Sequence, residues 1–355
     1  MKKMKIGIIG CGGIGTYHLG NLESLTDICE LVGFCDVIAE RAEAFVEKHG
    51  SGRAYDNYLD MLNSENPDAV FICIPPYCHG EIEYTLLERR IPFFVEKPLA
   101  LDIELAKDIN KKISELGLVT AVGFQCRYTN ITDEAIKYVK ENKISFINCA
   151  RMGGIPSTPW WKDKALSGGQ IVEQTIHQFD LIRYIYGEPE EVFTYGSNGI
   201  TSDLPEDFAT DELTTTVVRF KSGINGSITT GCYVKGAEAF YSTLTFSGEK
   251  SRAELNITSN IKLFGVKTEE MTEGQGNFIK GDGNFGASSD KFTVIKNEVQ
   301  FGVLCDRTFI EAARDGKPEM VKSPYSDAIK SLAFTLACNL SMERNAPVKV
   351  EELLK

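Results

Sequence analysis

The chain has 355 residues, 43% hydrophobic and 25% charged, which are the proportions of a folded globular protein rather than of a fibre or a disordered segment. At this length a single core normally gives way to two domains. Lysine and arginine number 38 against 50 acidic residues, for a formal net charge of −12, and no basic tract offsets the balance; this argues against a nucleic-acid partner bound through its phosphates.

The amino-terminal Met1–Lys5 followed by Ile6–Cys11 imitates a secretion signal, but its apolar stretch is shorter than the ~7–15 residues such a signal needs. No run approaches the ~18–20 apolar residues of a membrane span, so a cytoplasmic protein is expected. From Met4 onward, short apolar runs alternate with helix-like segments. The runs are Met4–Ile9, Glu30–Cys35, Ala69–Ile74, Pro92–Val95 and Leu118–Val122; helical spacing covers Ile38–His49 and Asp102–Leu116. Continuous apolar strands separated by helices predict βαβ crossovers and a parallel, doubly wound sheet over residues 1–122.

After Gly123 the texture changes. A helix is expected at Asp133–Glu141, a loop at Arg151–Gly169 and a single helix at Gln170–Tyr186. Strands are expected at Glu191–Tyr195, Leu213–Phe220, Ile224–Tyr233, Tyr241–Phe246 and Arg252–Ile257, a mobile loop at Gly274–Gly286 and a closing helix at Ser326–Arg344. Closely spaced Thr- and Val-rich runs joined by turn pairs such as Ser222-Gly223 predict a second, α+β domain at 123–355 built on a large, mostly antiparallel sheet.

The ten cysteines are scattered, without a C-x-x-C pair, and several sit in apolar runs; they read as reduced core thiols. Chemistry that needs imidazole must use one of four histidines: His18, His49, His79 or His177.

Gly10-Cys11-Gly12-Gly13-Ile14-Gly15 is a G-x-G-x-x-G turn between the first strand and a helix. Gly10 permits the turn, Gly12 admits a pyrophosphate, Gly15 lets helix and strand close up, and the diphosphate sits at the helix N-terminus. Asp36 ends the second strand about twenty residues further on, where a carboxylate receives the adenosine ribose hydroxyls and repels a 2′-phosphate. NAD is therefore favoured over NADP, although Arg41 lies close enough in sequence to reach a phosphate. Further on, Lys97 follows the carboxyl end of a buried strand in Phe93–Pro98, where open α/β sheets bind ligands. Glu173 and His177, at i and i+4 of the expected helix, share one face. Two such ligands are too few for a metal site, and none is expected.

The glycine turn, Glu96-Lys97-Pro98 and the Gly168-Gly169 to His177-x-x-Asp180 segment, in this order across essentially the whole chain, together resemble the Gfo/Idh/MocA oxidoreductase family, which includes glucose–fructose oxidoreductase and inositol dehydrogenase. The resemblance implies a sugar or polyol substrate and a nicotinamide cofactor. It implies cofactor contacts from Ile74, Pro75 and His79, from Glu96 and Lys97 with a cis bond before Pro98, and from Gln125. It also implies an arginine at Arg127 facing the nicotinamide pocket, a tryptophan of Trp160-Trp161 (Trp161 being the candidate) capping cofactor or substrate, and His177 on the reacting hydroxyl. Where the family usually has aspartate, this chain has Glu173, a carboxylate one methylene longer, which could orient His177 or bind a substrate hydroxyl.

His177 and Lys97 are both candidates for the proton acceptor, with the other steadying the alkoxide. Substrate contacts are expected from Lys97, Arg127, Trp161, Glu173 and His177. A homodimer or homotetramer is expected through the second sheet. Two other functions stay open at this point: a non-catalytic dinucleotide-binding regulator, and a lyase or epimerase that uses bound NAD in transient internal redox.

Overall fold

The computed structural model describes residues 3–202, 204, 207–266, 272–279 and 285–355, with backbone alone at 272–279 and 285–291. The first sheet has six strands: β1 (Met4–Ile9), β2 (Cys29–Cys35), β3 (Arg53–Tyr55), β4 (Ala69–Ile72), β5 (Phe93–Val95) and β6 (Thr120–Val122). All pair in parallel in the order β3-β2-β1-β4-β5-β6, so the winding reverses between β1 and β4 and opens a crevice at their carboxyl ends. β4 and β5 are buried along their whole length, which explains their unbroken apolar sequences. Helices α1 (Gly13–Glu23), α2 (Ala39–His49), α3 (Tyr58–Glu65), α4 (Glu81–Glu88) and α5 (Ile103–Leu116) make the crossovers.

The chain then crosses through α6 (Asn130–Glu141) to β7 (Ile144–Gly153), the short α7 (Lys164–Ser167) and α8 (Gln170–Glu173), and α9 (Ile176–Tyr186). The second sheet adds β8 (Pro189–Ser197), β9 (Leu213–Phe220), β10 (Asn225–Cys232), β11 (Tyr241–Gly248), β12 (Arg252–Asn256), β13 (Asn260–Phe264), β14 (Thr272–Ile279) and β15 (Phe285–Lys296). After α10 (Phe301–Asp315) and α11 (Tyr325–Arg344), β16 (Val348–Lys349) completes ten strands. β7 and β10 are parallel; the other neighbours are antiparallel. Residues of β9 alternate strictly, Thr214, Thr216, Val218 and Phe220 inward, Thr215, Val217 and Arg219 outward, as a sheet covered on one face requires. α6, α9 and α11 form the inner cover, through a core that includes Phe179, Phe220, Phe246 and Phe334.

Three expectations need correction. The helix expected at Gln170–Tyr186 is broken. The Thr175 N–H and the Gln174 N–H both donate to the Gln170 carbonyl (2.8 and 3.1 Å), the Thr175 hydroxyl also bonds Thr230 Oγ1 (3.2 Å), Thr175 leaves the helical region, and the chain restarts as α9 at Ile176. Arg151 belongs to β7 and not to the loop that follows it. Most of Gly274–Gly286 is strand, paired from Thr272↔Phe292 to Ile279↔Phe285 at the sheet's end, where a backbone ladder tolerates glycine; 280–284 lie outside the described residues.

An unexpected element, α10, carries the chain back to the first sheet. Cys305, Phe309 and Ile310 pack with Leu19, Leu22 and Phe71, and the Ser323 hydroxyl and carbonyl then bond the backbone of Val122 (2.7 and 2.9 Å). All ten cysteines are free; only Cys78 is exposed.

Candidate active site

At the crevice, Gly10 takes φ +96°, and a Cβ there would stand 2.2 Å from the Cys73 carbonyl of the adjacent strand exit. A Cβ at Gly15 would meet the Gly10 carbonyl at 2.1 Å, so these glycines let β1, α1 and β4 converge. Gly12 and Gly13 face open space. Gly12 caps α1 without a side-chain hydrogen bond, which leaves the first-turn N–H groups, including that of Ile14, free for an anion. Ile74 lines the turn from the β4 side, ahead of Pro75 and a short 3₁₀ turn at Pro76–Cys78.

Asp36 accepts from the Cys11 N–H (2.8 Å) and the Ile38 N–H (2.9 Å), each carboxylate oxygen keeping lone pairs for a ribose hydroxyl. Arg41 approaches it at 3.9 Å from the solvent side. A glycine turn over unpartnered helix N–H groups, beside a carboxylate at the end of β2, fits an adenine dinucleotide. The Cys11 thiol turns inward, near the Cys35 carbonyl, and burial together with Asp36 pushes it up to about 12.

The strand exit at β5 separates two neighbours. Lys97 points up: its Nζ donates to the Glu173 carbonyl (2.9 Å) and to Glu173 Oε1 (3.1 Å), with both side chains mostly buried. The Lys97–Pro98 bond is cis. Glu96 points down, and its expected place in the cofactor pocket is corrected: its carboxylate is 3% exposed, with Oε1 2.9 Å from His18 Nε2. His18 Nδ1 meets Asp306 of α10 at 2.9 Å, and Asn21 donates to the same oxygen. Burial alone would lower the His18 pKa, but Asp306 and then Glu96 outweigh it and raise it to about 10, which makes His18 a buried imidazolium between two carboxylates.

α8 is bolted to the second sheet: Gln170 Nε2 donates to Thr214 Oγ1 (2.7 Å) and to the Thr230 carbonyl (3.0 Å), which fixes Glu173 over Lys97. Because the helix breaks at Thr175, Glu173 and His177 do not share one continuous face. Glu173 holds Lys97, while the His177 ring packs edge-on against Phe124 with Nδ1 buried and without a hydrogen-bond partner among the described residues. Burial, then Lys97 and Arg151, depress the His177 pKa to about 3. Gln125 Oε1, on the 3₁₀ turn beside this cluster, is likewise buried and unpartnered.

Lys97, Glu173, His177 and Gln125 therefore gather at the mouth of the glycine crevice. Three other candidates lie elsewhere. Arg127 does not face the pocket: it is 1% exposed, its Nε and Nη2 hold Asp180 (2.8 and 2.5 Å), and its Nη1 takes Asp327 and the Lys322 carbonyl (each 2.7 Å), so all three of its nitrogens are engaged. Trp161 does not cap the cleft but is wholly buried, tilted against Phe208; its neighbour Trp160 is the one that meets Tyr77 across the cleft. His79 Nδ1 is tied to Glu83 (2.6 Å), whose other oxygen accepts the Gly80 N–H at the start of α4, a helix-capping arrangement.

The sequence reading missed two polar groups. His18 looked like ordinary helix packing. Arg151, 7% exposed, lies beside the cluster: with the Gln174 amide oriented by its neighbours, Gln174 donates to Glu173 Oε2 (3.3 Å) and accepts from Arg151 Nη2 (3.0 Å). The apolar residues around Arg151 in β7 were the available signal.

A dinucleotide cradle opening onto a lysine, a carboxylate and an unpartnered imidazole marks the class of two-domain, nicotinamide-dependent oxidoreductases. Comparison with known proteins agrees. The family model for the Gfo/Idh/MocA oxidoreductases, NAD-binding Rossmann fold, matches residues 4–124, and the model for that family's C-terminal domain matches 142–254. The chain belongs to the Gfo/Idh/MocA family. It is similar to a myo-inositol 2-dehydrogenase of Thermotoga maritima, 28% identical over 99% of this chain and 100% of that one. It is also similar to a scyllo-inositol 2-dehydrogenase (NAD⁺) of Bacillus subtilis, 27% identical over 64% of this chain and 66% of the other. Among solved structures, a levoglucosan dehydrogenase in complex with NADH and L-sorbose shares the fold at TM-score 0.82 and 18% identity, covering 99% of each chain.

Proposed function

We propose that this protein is an NAD-dependent dehydrogenase that oxidises a secondary hydroxyl of a sugar, polyol or sugar derivative. The observation that carries the reading is the Lys97–Glu173 pair beside the uncharged imidazole of His177, at the mouth of the glycine crevice. The names of the inositol and sugar dehydrogenases it resembles support it. The cofactor, when bound, supplies the hydride acceptor. Gly10, Gly12, Gly13, Ile14 and Gly15 would hold its diphosphate, Asp36 its adenosine ribose, and Ile74, Pro75 and Gln125 the side facing the substrate. The Asp36 carboxylate favours NAD over NADP.

In this reading the neutral imidazole of His177 accepts the hydroxyl proton through the ring nitrogen other than the buried Nδ1, since burial and the nearby Lys97 and Arg151 cations keep the ring uncharged. Lys97 steadies the developing alkoxide with the ammonium hydrogen left over from its two bonds to Glu173, and Glu173 fixes where that hydrogen points. Residues 1–122 form the nucleotide-binding part and 123–355 the substrate and assembly part. The outer sheet face, with Phe146, Tyr195, Val217 and Tyr241 exposed, supports a homodimer or homotetramer. Among the described residues no helix is long and apolar enough to cross a membrane, and a cytoplasmic location is part of this reading.

The test is to mix the purified protein with NAD or NADP and a panel of sugars and polyols, following reduced-nicotinamide absorbance. Growth of absorbance with NAD supports the reading. Product without absorbance would indicate transient internal redox, and cofactor binding with neither would indicate a regulator.

A further inference from the structure

Three arginines are buried among the described residues: Arg127, Arg151 and Arg183. Two are matched by carboxylates, Arg127 by Asp180 and Asp327, Arg183 by Asp327 and Glu188. Arg151 is not. Its Nη1 reaches only the Gly231 carbonyl (3.3 Å) and Cys232 Sγ (3.2 Å), its Nη2 the Gln174 amide oxygen (3.0 Å), and no ion pair among the described residues includes it. The Nε–Nη2 edge with which Arg127 grips Asp180 thus carries, on Arg151, a single neutral oxygen.

The surroundings are shaped for this fork. A Cβ at Gly153 would stand 2.7 Å from the guanidinium carbon, so only glycine leaves room for it to lie along the end of β7. The Phe240 ring, 5.7 Å away and half exposed, forms the outer edge. Gln174 links Arg151 to Glu173, hence to Lys97, which places the open edge beside the reacting groups.

We propose that Arg151 anchors a carboxylate carried by the substrate, so that the preferred substrates are polyhydroxylated acids of the uronic or aldonic type rather than neutral polyols. The inference rests on the dehydrogenase reading above. Charge counting favours a single negative charge: Lys97 is neutralised by Glu173, leaving Arg151 as one uncompensated buried cation, which a carboxylate matches and a phosphate dianion exceeds. A carboxylate there also strengthens the base. Arg151 is one of the two cations that depress His177, and neutralising it restores basicity to the imidazole only when the right substrate is bound.

The experiment is calorimetric titration of the NADH-bound protein with glucuronate, glucose and glucose 6-phosphate, in the wild type, Arg151→Gln and Arg151→Lys. The expected result is glucuronate binding at least about tenfold tighter than glucose, falling to the glucose level in Arg151→Gln and only partly in Arg151→Lys, which keeps the charge without the fork. NADH affinity and the melting temperature should stay at wild-type values; if Arg151→Gln loses either, Arg151→Lys carries the comparison. Equal binding of glucuronate and glucose, failure of glucuronate to bind, or an advantage that survives in Arg151→Gln overturns the proposal. So does an Arg151-dependent preference for glucose 6-phosphate over glucuronate. Arg151-dependent glucuronate binding without hydride transfer to NAD from any sugar acid leaves the anion anchor standing and removes the dehydrogenase reading instead.

Discussion

His18 offers a sharp test of how the two halves of the chain are held together. His18→Leu keeps the bulk of the side chain and removes the cation between Glu96 and Asp306. The rise of His18 from 6.5 to about 10 corresponds to roughly 5 kcal/mol at ~1.4 kcal/mol per unit. Burial raises the Asp306 carboxyl and takes back part of that. Breaking one partner of a buried ion pair typically costs ~3–5 kcal/mol, the same range. With an unfolding entropy of about 2.1 cal/mol/K per residue, such a loss lowers the melting temperature of a chain this size by roughly 4–7 °C at pH 7.

The pH dependence has a defined sign. A histidine whose folded pKa is raised stabilises fully below its unfolded value of 6.5, and that stability is lost as pH rises through about 10. Buried thiols also destabilise the fold at alkaline pH, since burial keeps them from ionising in the folded state, so the readout is the gap between wild type and variant in calorimetric scans from pH 6 to 10. The gap should be widest at pH 6–7 and close toward pH 10. A missing gap at pH 7, or one of constant size up to pH 10, refutes the buried imidazolium.

The other predictions concern the site and its supports. Gly12→Ala, whose Cβ meets open space, should melt like the wild type while binding NAD about tenfold or more weakly. Gly10→Ala, at φ +96° and 2.2 Å from a carbonyl, should lose roughly 1–3 kcal/mol or more of stability in denaturant titrations. Arg127→Met leaves Asp180 buried without its cation and should cost about 3–5 kcal/mol in the same titrations, with little change in KM for a variant assayed while folded. Because His177 is held neutral down to about pH 3, kcat/KM should show no histidine-like inflection near 6.5 between pH 5 and 7.5; an inflection there that disappears in His177→Gln would contradict the environment described for His177.

What could be read from sequence was whatever is local. β4 and β5 announce themselves because strands buried on both faces are unbroken apolar runs, and the glycine turn does so because its spacing is fixed by backbone clearance within a few residues. What could not be read depends on distant partners. His18 sits at an unremarkable helical position, and its two carboxylates arrive from 78 and 288 residues away. The break before His177 is invisible because Ile171, Val172, Ile176 and Phe179 keep an apolar rhythm across it; the interruption comes from Thr175, bonded to a strand 55 residues on. Arg151 was read as the start of a loop because Gly153 and Gly154 follow it, although Gly153 is what makes room for its guanidinium.

The same contrast explains why motif residues do not all belong to the chemistry. Successive side chains at a strand exit point to opposite sides, so within Glu96-Lys97 the lysine rises to Glu173 and the glutamate descends to His18. Within His177-x-x-Asp180, the imidazole lies beside Lys97, while the aspartate, one turn on, holds Arg127 and the Ser331 hydroxyl of α11. In the proposed reading each pair couples a reacting group to a scaffold ion pair next to it in sequence. The two scaffold pairs, His18 with Asp306 and Arg127 with Asp327, both reach the carboxyl-terminal helices α10 and α11. The carboxyl-terminal helices thus hold Glu96 and Asp180, the sequence neighbours of the proposed reacting groups, so in the proposed reading a substitution at Asp306 or Asp327 should disturb catalysis by loosening Glu96 or Asp180.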